Sequence, residues 1–257
     1  MLIPSDWHRI FSFSCVYSVE MADKHTYVSV GKRQVALSNL DKLLYRAPDI
    51  SKAEVISYYY KAAPYILRHS RGRPISTIRF PDGIDGESFY FKDIPKWAPE
   101  WVETIKRGKE HPKNYLLLND AAAIVWLANL AALEMHETTG REQGVPDYIA
   151  YDLDPPERMD FEEVKSICIL LKDHLEAHDY YPFVKLSGSK GIHLFTPINP
   201  HYTLDECFSA AKVLVKRFKH PNTTLEISKS KRKQRMLIDI YRNRPGQTIV
   251  MPYSLRA

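Results

Sequence analysis

Asp152-Leu153-Asp154 ends an apolar run, DYIAYDLD over 147–154, that Pro155-Pro156 closes. The run reads as a strand. Residues two apart on a strand share a face, so both carboxylates point the same way, about 6–7 Å apart at Cα. Aligned carboxylates repel unless a cation neutralises them, and Mg²⁺ or Mn²⁺ takes oxygen ligands. The plain alternative is a surface strand end that carries the tripeptide to no purpose. Asp239 weighs against it, because it sits in Leu237-Ile238-Asp239-Ile240, an apolar strand where an unpaired acid is costly. Were that strand to lie beside the first, three carboxylates would meet. They could hold two ions, activate a hydroxyl and stabilise a leaving pyrophosphate. A single salt bridge to a nearby arginine is the competing explanation.

A second group is Ser187-Gly188-Ser189-Lys190-Gly191-Ile192-His193. Two glycines in a tight turn offer backbone N–H groups to a phosphate, Lys190 adds a point charge, and Ser187 and His193 add donors. The GxxxxGK[ST] spacing is absent, so this is not a Walker A loop. A hairpin turn that happens to carry a lysine fits equally well. A third group is KSKRKQR at 229–235, with Lys229, Lys231, Arg232, Lys233 and Arg235 and no acid, followed by Arg242 and Arg244. It suits a polyanion or a solvated loop.

The elements that must position these groups follow from patterning. TYVSVGKRQVALS, beginning at Thr26, reads as two short strands about a glycine turn, with regular structure from about Tyr27. Ser51-x-x-Glu54 opens a helix to about Arg68 that Pro64 should kink or divide. Residues 74–80 and 88–94 read as strands, 95–101 as irregular, and 120–135 as one buried helix. Asp160-x-x-Glu163 and Thr203-x-x-Glu206 open helices to about His178 and Phe218. Residues 182–187 and 192–197 form a hairpin around the glycine turn, and 235–242 and 248–254 read as strands. Strands in hairpins and helices without a strict alternation indicate an α+β fold with mixed or antiparallel sheets flanked by helices.

Composition sets the bounds. The chain has 257 residues, 44% hydrophobic and 26% charged, which excludes disordered, collagen-like and coiled-coil classes and leaves one large domain or two small ones. Its three cysteines, Cys15, Cys168 and Cys207, lack any CxxC spacing, which argues against a disulfide framework or structural zinc and fits a reducing compartment. No apolar run reaches a membrane span. The net charge of +5 is weak support for a polyanion partner. Residues 1–24 show no clear period or signal-peptide cleavage site. They read as a flexible extension or as translation from an upstream start, with Met21 the functional one.

YDLDP at 151–155, KLSGSKGIH at 185–193, LID at 237–239 and GQTIVMPYSLRA at 246–257 are similar, in order and spacing, to the polymerase domain of bacterial ligase D and its stand-alone archaeal relatives. That is the non-homologous end-joining branch of the archaeo-eukaryotic primase superfamily. The resemblance spans about residues 27–257 and implies one primase-polymerase domain over 25–257 with a primase-like catalytic core. It implies that Asp152, Asp154 and Asp239 are the catalytic, metal-binding acids for two Mn²⁺ or Mg²⁺ ions. Ser187, Lys190, His193 and Arg256 would hold the nucleotide triphosphate, with His136 at the sugar and primer end. Phe89 and Tyr90 would stack on bases, Lys42 and Lys52 would grip a downstream 5′-phosphate, and Lys229, Lys231, Arg232 and Lys233 would lie in a mobile basic loop near the site. From their sequence alone, Lys42 and Lys52 would count as exposed helix or loop residues. The family usually has Phe-Phe at 89–90, often Pro-Trp at 137–138 and often Gln at 242.

The implied activity is templated addition of one or a few ribo- or deoxyribonucleotides to a 3′-hydroxyl at a gap or 3′ overhang during end joining, in a prokaryotic cytoplasm and nucleoid-associated. No KxDG ligase motif and no HxH phosphoesterase cluster occurs in the sequence. Resealing is therefore expected from a separate DNA ligase, with a Ku-like end-binding protein. The rivals are a de novo primase of the same superfamily, a non-catalytic end-bridging module, and a metal nuclease.

Overall fold

The computed structural model describes residues 19–22, 25–108 and 110–257. Strands β1 (Val19–Ala22), β2 (His25–Val30) and β3 (Arg33–Leu37) form a small antiparallel sheet, with Gly31 at φ +60° in the turn between the last two. Strand pairing thus begins at Val19, ahead of Tyr27, because VEMA is too short to show a period. The remainder of the 1–24 extension lies outside the described residues. A hairpin of β4 (Leu43–Arg46) and β5 (Asp49–Ser51) then leads into helix α1 (Lys52–Ser70).

The predicted capping box is formed. Ser51 Oγ accepts the Glu54 N–H, and the Glu54 carboxylate accepts the Ser51 N–H at 2.8 Å, an arrangement that stabilises a helix start by about 1 kcal/mol. Helix α1 runs unbroken through Pro64, against expectation. Pro64 faces solvent while Ala62, Ala63 and Ile66 are buried, and that burial outweighs a proline cost of roughly 3 kcal/mol.

Two larger sheets follow. The first has the order β16-β10-β6-β9-β8, built from β6 (Arg73–Arg79), β8 (Thr104–Arg107), β9 (Lys113–Leu118), β10 (Ala132–Glu137) and β16 (Ile249–Val250), with β7 (Phe89–Phe91) also on β6. The second has the order β12-β13-β11-β15-β14, from β11 (Tyr148–Asp154), β12 (Phe183–Leu186), β13 (Ile192–Pro197), β14 (Thr223–Thr224) and β15 (Met236–Asp239). Helix α2 (Ala121–Asn129) packs with α1 behind the first sheet. Helices α3 (Phe161–Glu176) and α4 (Leu204–Arg217) cover the second. Only the β14–β15 pairing is parallel among the described strands of these sheets, in line with the α+β expectation. The last strand returns to the first sheet, so the C-terminus lies beside the second.

The single helix expected over 120–135 is two elements. Helix α2 stops at Asn129, Ala131 turns at φ +56°, and Ala132–Glu137 is strand β10. The Asn129 side chain ends the helix by bonding strand β3 and its flank: Oδ1 accepts the Ser38 N–H and Nδ2 donates to the Ala36 carbonyl. Both pieces are apolar, so periodicity could not mark the break. Strands expected over 88–94 and 248–254 shrink to 89–91 and 249–250.

Alternation on the strands divides the molecule. Tyr151, Leu153, Ile192, Leu194, Met236 and Ile238 point into the core beneath α3 and α4. Leu133 and Met135 point into the core with α1 and α2. Their neighbours Asp152, Asp154, His193, Asp239, Glu134 and His136 take the opposite faces, and the two sheets look at each other across them.

Candidate active site

A cleft of about 490 Å³ opens between the sheets, lined by His136, Thr248 and Val250 from one and by Asp152, Asp154, His193 and Asp239 from the other. Strands β11 and β15 are antiparallel, and their register places Asp152 directly opposite Asp239. Asp154 shares the Asp152 face, so the predicted convergence of the three acids on one side of the sheet is present. They are not, however, a closed ligand cluster. Arg232 Nη1 holds Asp154 Oδ2 at 2.7 Å, and Arg242 Nε stands 3.4 Å from Asp152 Oδ2 and 3.2 Å from Asp239 Oδ2. The single salt bridge weighed as the alternative for Asp239 is thus present, and arginines also stand against Asp152 and Asp154.

The two opposed acids titrate apart. Burial pushes Asp152 up, but the hydrogen bond from His193, 3.3 Å away, and the Arg242 charge outweigh it and hold Asp152 below the usual carboxylate range. Asp239 is raised, first by burial and further by the charges of Asp152 and Asp154, although Arg242 and the Tyr241 N–H oppose the shift. His193 is 2% exposed, and burial lowers it despite its contact with Asp152. Its Nε2 stands against Asp152 Oδ1, while its Nδ1 is buried without a hydrogen-bond partner.

The glycine turn has a built geometry. Ser187 Oγ accepts the Ser189 and Gly191 N–H groups at 3.3 and 3.1 Å, and the Ser187 N–H donates to the Gly191 carbonyl. The Ser189 and Gly191 amides are therefore engaged inside the turn by the serine side chain. The Ser187 O–H and the exposed Lys190 remain free to face a ligand. Both glycines are required. Gly188 has φ +84° and a Cβ there would meet Arg256 Cγ at 2.7 Å; a Cβ on Gly191 would meet the Leu153 carbonyl oxygen at 2.5 Å. The turn is thus packed onto both the acid-bearing strand and the C-terminal arginine.

Glu134 is the residue that sequence reasoning missed. On β10 it shares the cleft face with His136. Its Oε2 lies 3.2 Å from His136 Nε2 and 3.3 Å from Arg256 Nη1, and its Oε1 accepts the Ala257 N–H at 3.3 Å. Burial would raise this carboxyl, but those three partners hold it low. One buried acid therefore sets both His136 and Arg256. Period-two alternation in LEMHE is the available signal, and the apolar run that precedes it masks the start of the strand.

Phe89 and Tyr90 are 50% and 55% exposed and, as strand neighbours, face opposite ways. Tyr90 O–H meets Ser76 Oγ at 2.9 Å and Thr248 Oγ1 at 3.2 Å, on the His136 side, while Phe89 pairs with Arg79 on β6. Lys42 and Lys52 lie together, joined by a backbone hydrogen bond from Lys52 to Lys42. Lys42 Nζ holds Asp82 at 2.6 Å and is exposed as expected. Lys52 is 5% exposed, its Nζ donates to the Ser38 carbonyl, and burial followed by the charges of Lys42 and Arg79 lowers it to about 8. It is not the exposed residue its sequence suggested, because the capping turn at Ser51 folds it inward. In the basic segment, residues 229–231 form one 3-10 turn with Lys229, Lys231 and Lys233 outward. Arg232 is turned in, bonding Asp154 and the carbonyls of Glu226 and Ile227.

By chemistry the three carboxylates offer the oxygen donors that a divalent cation takes, but among the described residues no group of three or more His, Cys, Asp or Glu side chains stands close enough together to hold one, and guanidinium groups occupy the places of counter-ions. No helix among the described residues is long and apolar enough to cross a membrane.

The family model for the LigD primase-polymerase domain matches residues 51–257. The multifunctional non-homologous end joining DNA repair protein LigD of Mycobacterium tuberculosis (strain ATCC 25618 / H37Rv) is 30% identical over 242 residues, covering 89% of this chain and 32% of that protein. The bifunctional non-homologous end joining protein LigD of Bacillus subtilis (strain 168) is 30% identical over 231 residues, covering 87% of this chain and 37% of that protein. The chain thus spans about a third of the length of these relatives. The solved polymerase domain from Mycobacterium tuberculosis ligase D in complex with DNA superimposes with a TM-score of 0.82 at 30% identity, covering 86% of this chain and 82% of that one.

Proposed function

Because the chain belongs to the LigD primase-polymerase domain family, we propose that it is a metal-dependent nucleotidyltransferase that fills gaps at DNA double-strand breaks during non-homologous end joining. The observation that carries this reading is the cross-strand pairing of Asp152 with Asp239, with Asp154 on the same face, in a cleft that also holds the Ser187–Gly191 turn, Arg256 and His136.

Asp152, Asp154 and Asp239 would hold Mn²⁺ or Mg²⁺, two ions in the full site. Such ions, when bound, lower the pKa of a 3′-hydroxyl and neutralise a departing pyrophosphate. The protein's own groups do the rest. Ser187, Lys190 and Arg256 bind the triphosphate, with charge-assisted contacts that strengthen as the β- and γ-phosphates take up negative charge. His193 fixes the orientation of Asp152. His136, held by Glu134, positions the sugar and primer end. Tyr90 and Phe89 offer faces on which bases stack without sequence preference, as filling of arbitrary ends requires. Lys42 and Lys52 receive the downstream 5′-phosphate; the burial that depresses Lys52 makes an anion there more favourable. Lys229, Lys231 and Lys233 steer the DNA backbone. A DNA ligase and a Ku-like end-binding protein complete the repair, on DNA in the prokaryotic nucleoid.

The test is extension of a gapped duplex with and without the downstream 5′-phosphate, in Mn²⁺ or Mg²⁺, with rNTPs or dNTPs. Templated addition of one or a few nucleotides, stimulated by the phosphate and abolished by Asp152→Ala, is expected. Extension indifferent to the phosphate indicates a primase instead, and no extension under any condition a bridging module.

A further inference from the structure

Arg242 stands three residues beyond Asp239, in the single 3-10 turn over 241–243 that follows β15. Each carboxylate of the opposed pair has one oxygen fixed by the fold: Asp152 Oδ1 faces His193 Nε2, and Asp239 Oδ1 accepts the Tyr241 N–H. The other oxygen of each, Oδ2, is offered inward, and Arg242 Nε sits between the two at 3.4 and 3.2 Å. We propose that Arg242 is a resident counter-ion of this carboxylate pair, which holds Asp152 and Asp239 ready and must swing aside for a divalent cation to take the same two oxygens. The inference rests on the assignment of these acids as cation ligands.

Three observations favour a placeholder over a permanent strut. First, Arg242 Nε is shut off from water yet makes no well-aligned hydrogen bond, so the contact is ionic and undirected. Second, its side chain is 36% exposed, so the guanidinium has a path outward without disturbing the strand ladder. Third, it is the one cation that touches both carboxylates among the described residues; Arg232 is engaged on Asp154, and His193 touches Asp152 alone. A divalent cation brings twice the charge and a preference for oxygen that a guanidinium cannot match. Metal entry and Arg242 departure are thus one exchange, and Arg242 lowers the resting affinity for metal. It is a positioning residue, and its signature is in metal binding itself.

The experiment titrates Mn²⁺ into the nucleotide-free, DNA-free protein and reads the free ion by electron paramagnetic resonance, for wild type, Arg242→Gln, Arg242→Lys and Asp152→Asn. Arg242→Gln is expected to bind Mn²⁺ about tenfold more tightly than wild type, the scale of a half-buried ion pair removed from competition. Arg242→Lys should stay near wild type, and Asp152→Asn should lose the site. Melting curves guard against misfolding: Arg242→Gln should melt lower than wild type without metal and recover with saturating Mn²⁺. Equal or weaker Mn²⁺ binding by Arg242→Gln, with binding still lost in Asp152→Asn, overturns the role of Arg242 alone. No saturable binding in any of the four proteins overturns the ligand assignment and this inference with it.

Discussion

Arg73 offers the sharpest test of how the two halves of the molecule are joined. It begins β6 in the first sheet, and its guanidinium is 2% exposed. Nη2 lies 2.5 Å from Asp147 Oδ1, Nη1 donates to the Thr139 carbonyl at 2.8 Å and Nε to the His69 carbonyl at 3.2 Å. Glu137 Oε2 is 3.9 Å away, and the Tyr148 ring lies beneath the cation at 4.5 Å. One side chain thus ties the end of α1, the exit of β10 and the entry of β11. Arg73→Met keeps the length and removes the charge. Glu137, 3% exposed, then has no cation within ion-pair distance among the described residues, only the more distant charge of Lys185, and Tyr148 O–H reaches only Oε1. Asp147 keeps Arg141 at 2.8 Å, which softens the loss. Orphaning a buried charge costs about 3–5 kcal/mol, and the surviving Arg141 contact places the expectation near ~3. For a chain of this size each kcal/mol moves Tm by roughly 2–4 °C, so Tm should fall about 6–12 °C. The assay is urea and thermal unfolding by circular dichroism. Adding Glu137→Gln should restore part of the loss. A Tm within about 2 °C of wild type, or a deficit that Glu137→Gln does not relieve, would refute the claim that Arg73 carries this junction.

Two further outcomes follow from the site. Lys52 is lowered to about 8 in the free protein, against 10.5 ordinarily, and must be charged to hold a phosphate. The preference for DNA with a downstream 5′-phosphate should therefore be full below pH 8 and fall above it, by up to roughly tenfold per pH unit, in fluorescence anisotropy; a preference constant from pH 7 to 9.5 counts against Lys52. The same shift means that Lys52 weakens the folded state below pH 8 and does so less as pH climbs from 8 to 10.5. Glu134→Gln removes the charge that holds His136 and Arg256, and KM for the nucleotide should rise roughly tenfold, the worth of one charge-assisted hydrogen bond, with kcat changed less. An unchanged KM would mean that Glu134 only supports the fold.

Where side-chain chemistry and strand period coincide, the site was legible. DYIAYDLD, LID and the hairpin around the glycine turn each announce their own geometry, and the two capping boxes mark helix starts through local hydrogen bonds. What stayed hidden depends on contacts distant in sequence. The break at Asn129 is made by a strand some ninety residues earlier. The Lys52 ammonium finds its partner in the Ser38 carbonyl, and Arg232 is turned inward onto Asp154. Glu134 was lost with the misjudged helix, although its alternation with His136 was there to read. Strands β4, β5 and β8 are short, and β9 ends in the unalternating run Tyr115–Leu118, so their pairing partners identify them.

The opposition of Asp152 and Asp239 has a consequence for how this sequence can change. Their meeting is encoded in backbone ladder bonds, so the unit of inheritance is the parity of residues along two strands. The segment 225–235 can gain or lose residues so long as the β11–β15 ladder keeps its alignment. Removal of a single residue such as Ile238 would slide the strand by one place, send Asp239 into the core beneath α3 and α4, and bring an apolar side chain to the cleft in its stead. Substitutions there act by degrees, whereas a single-codon deletion in β15 acts as a switch.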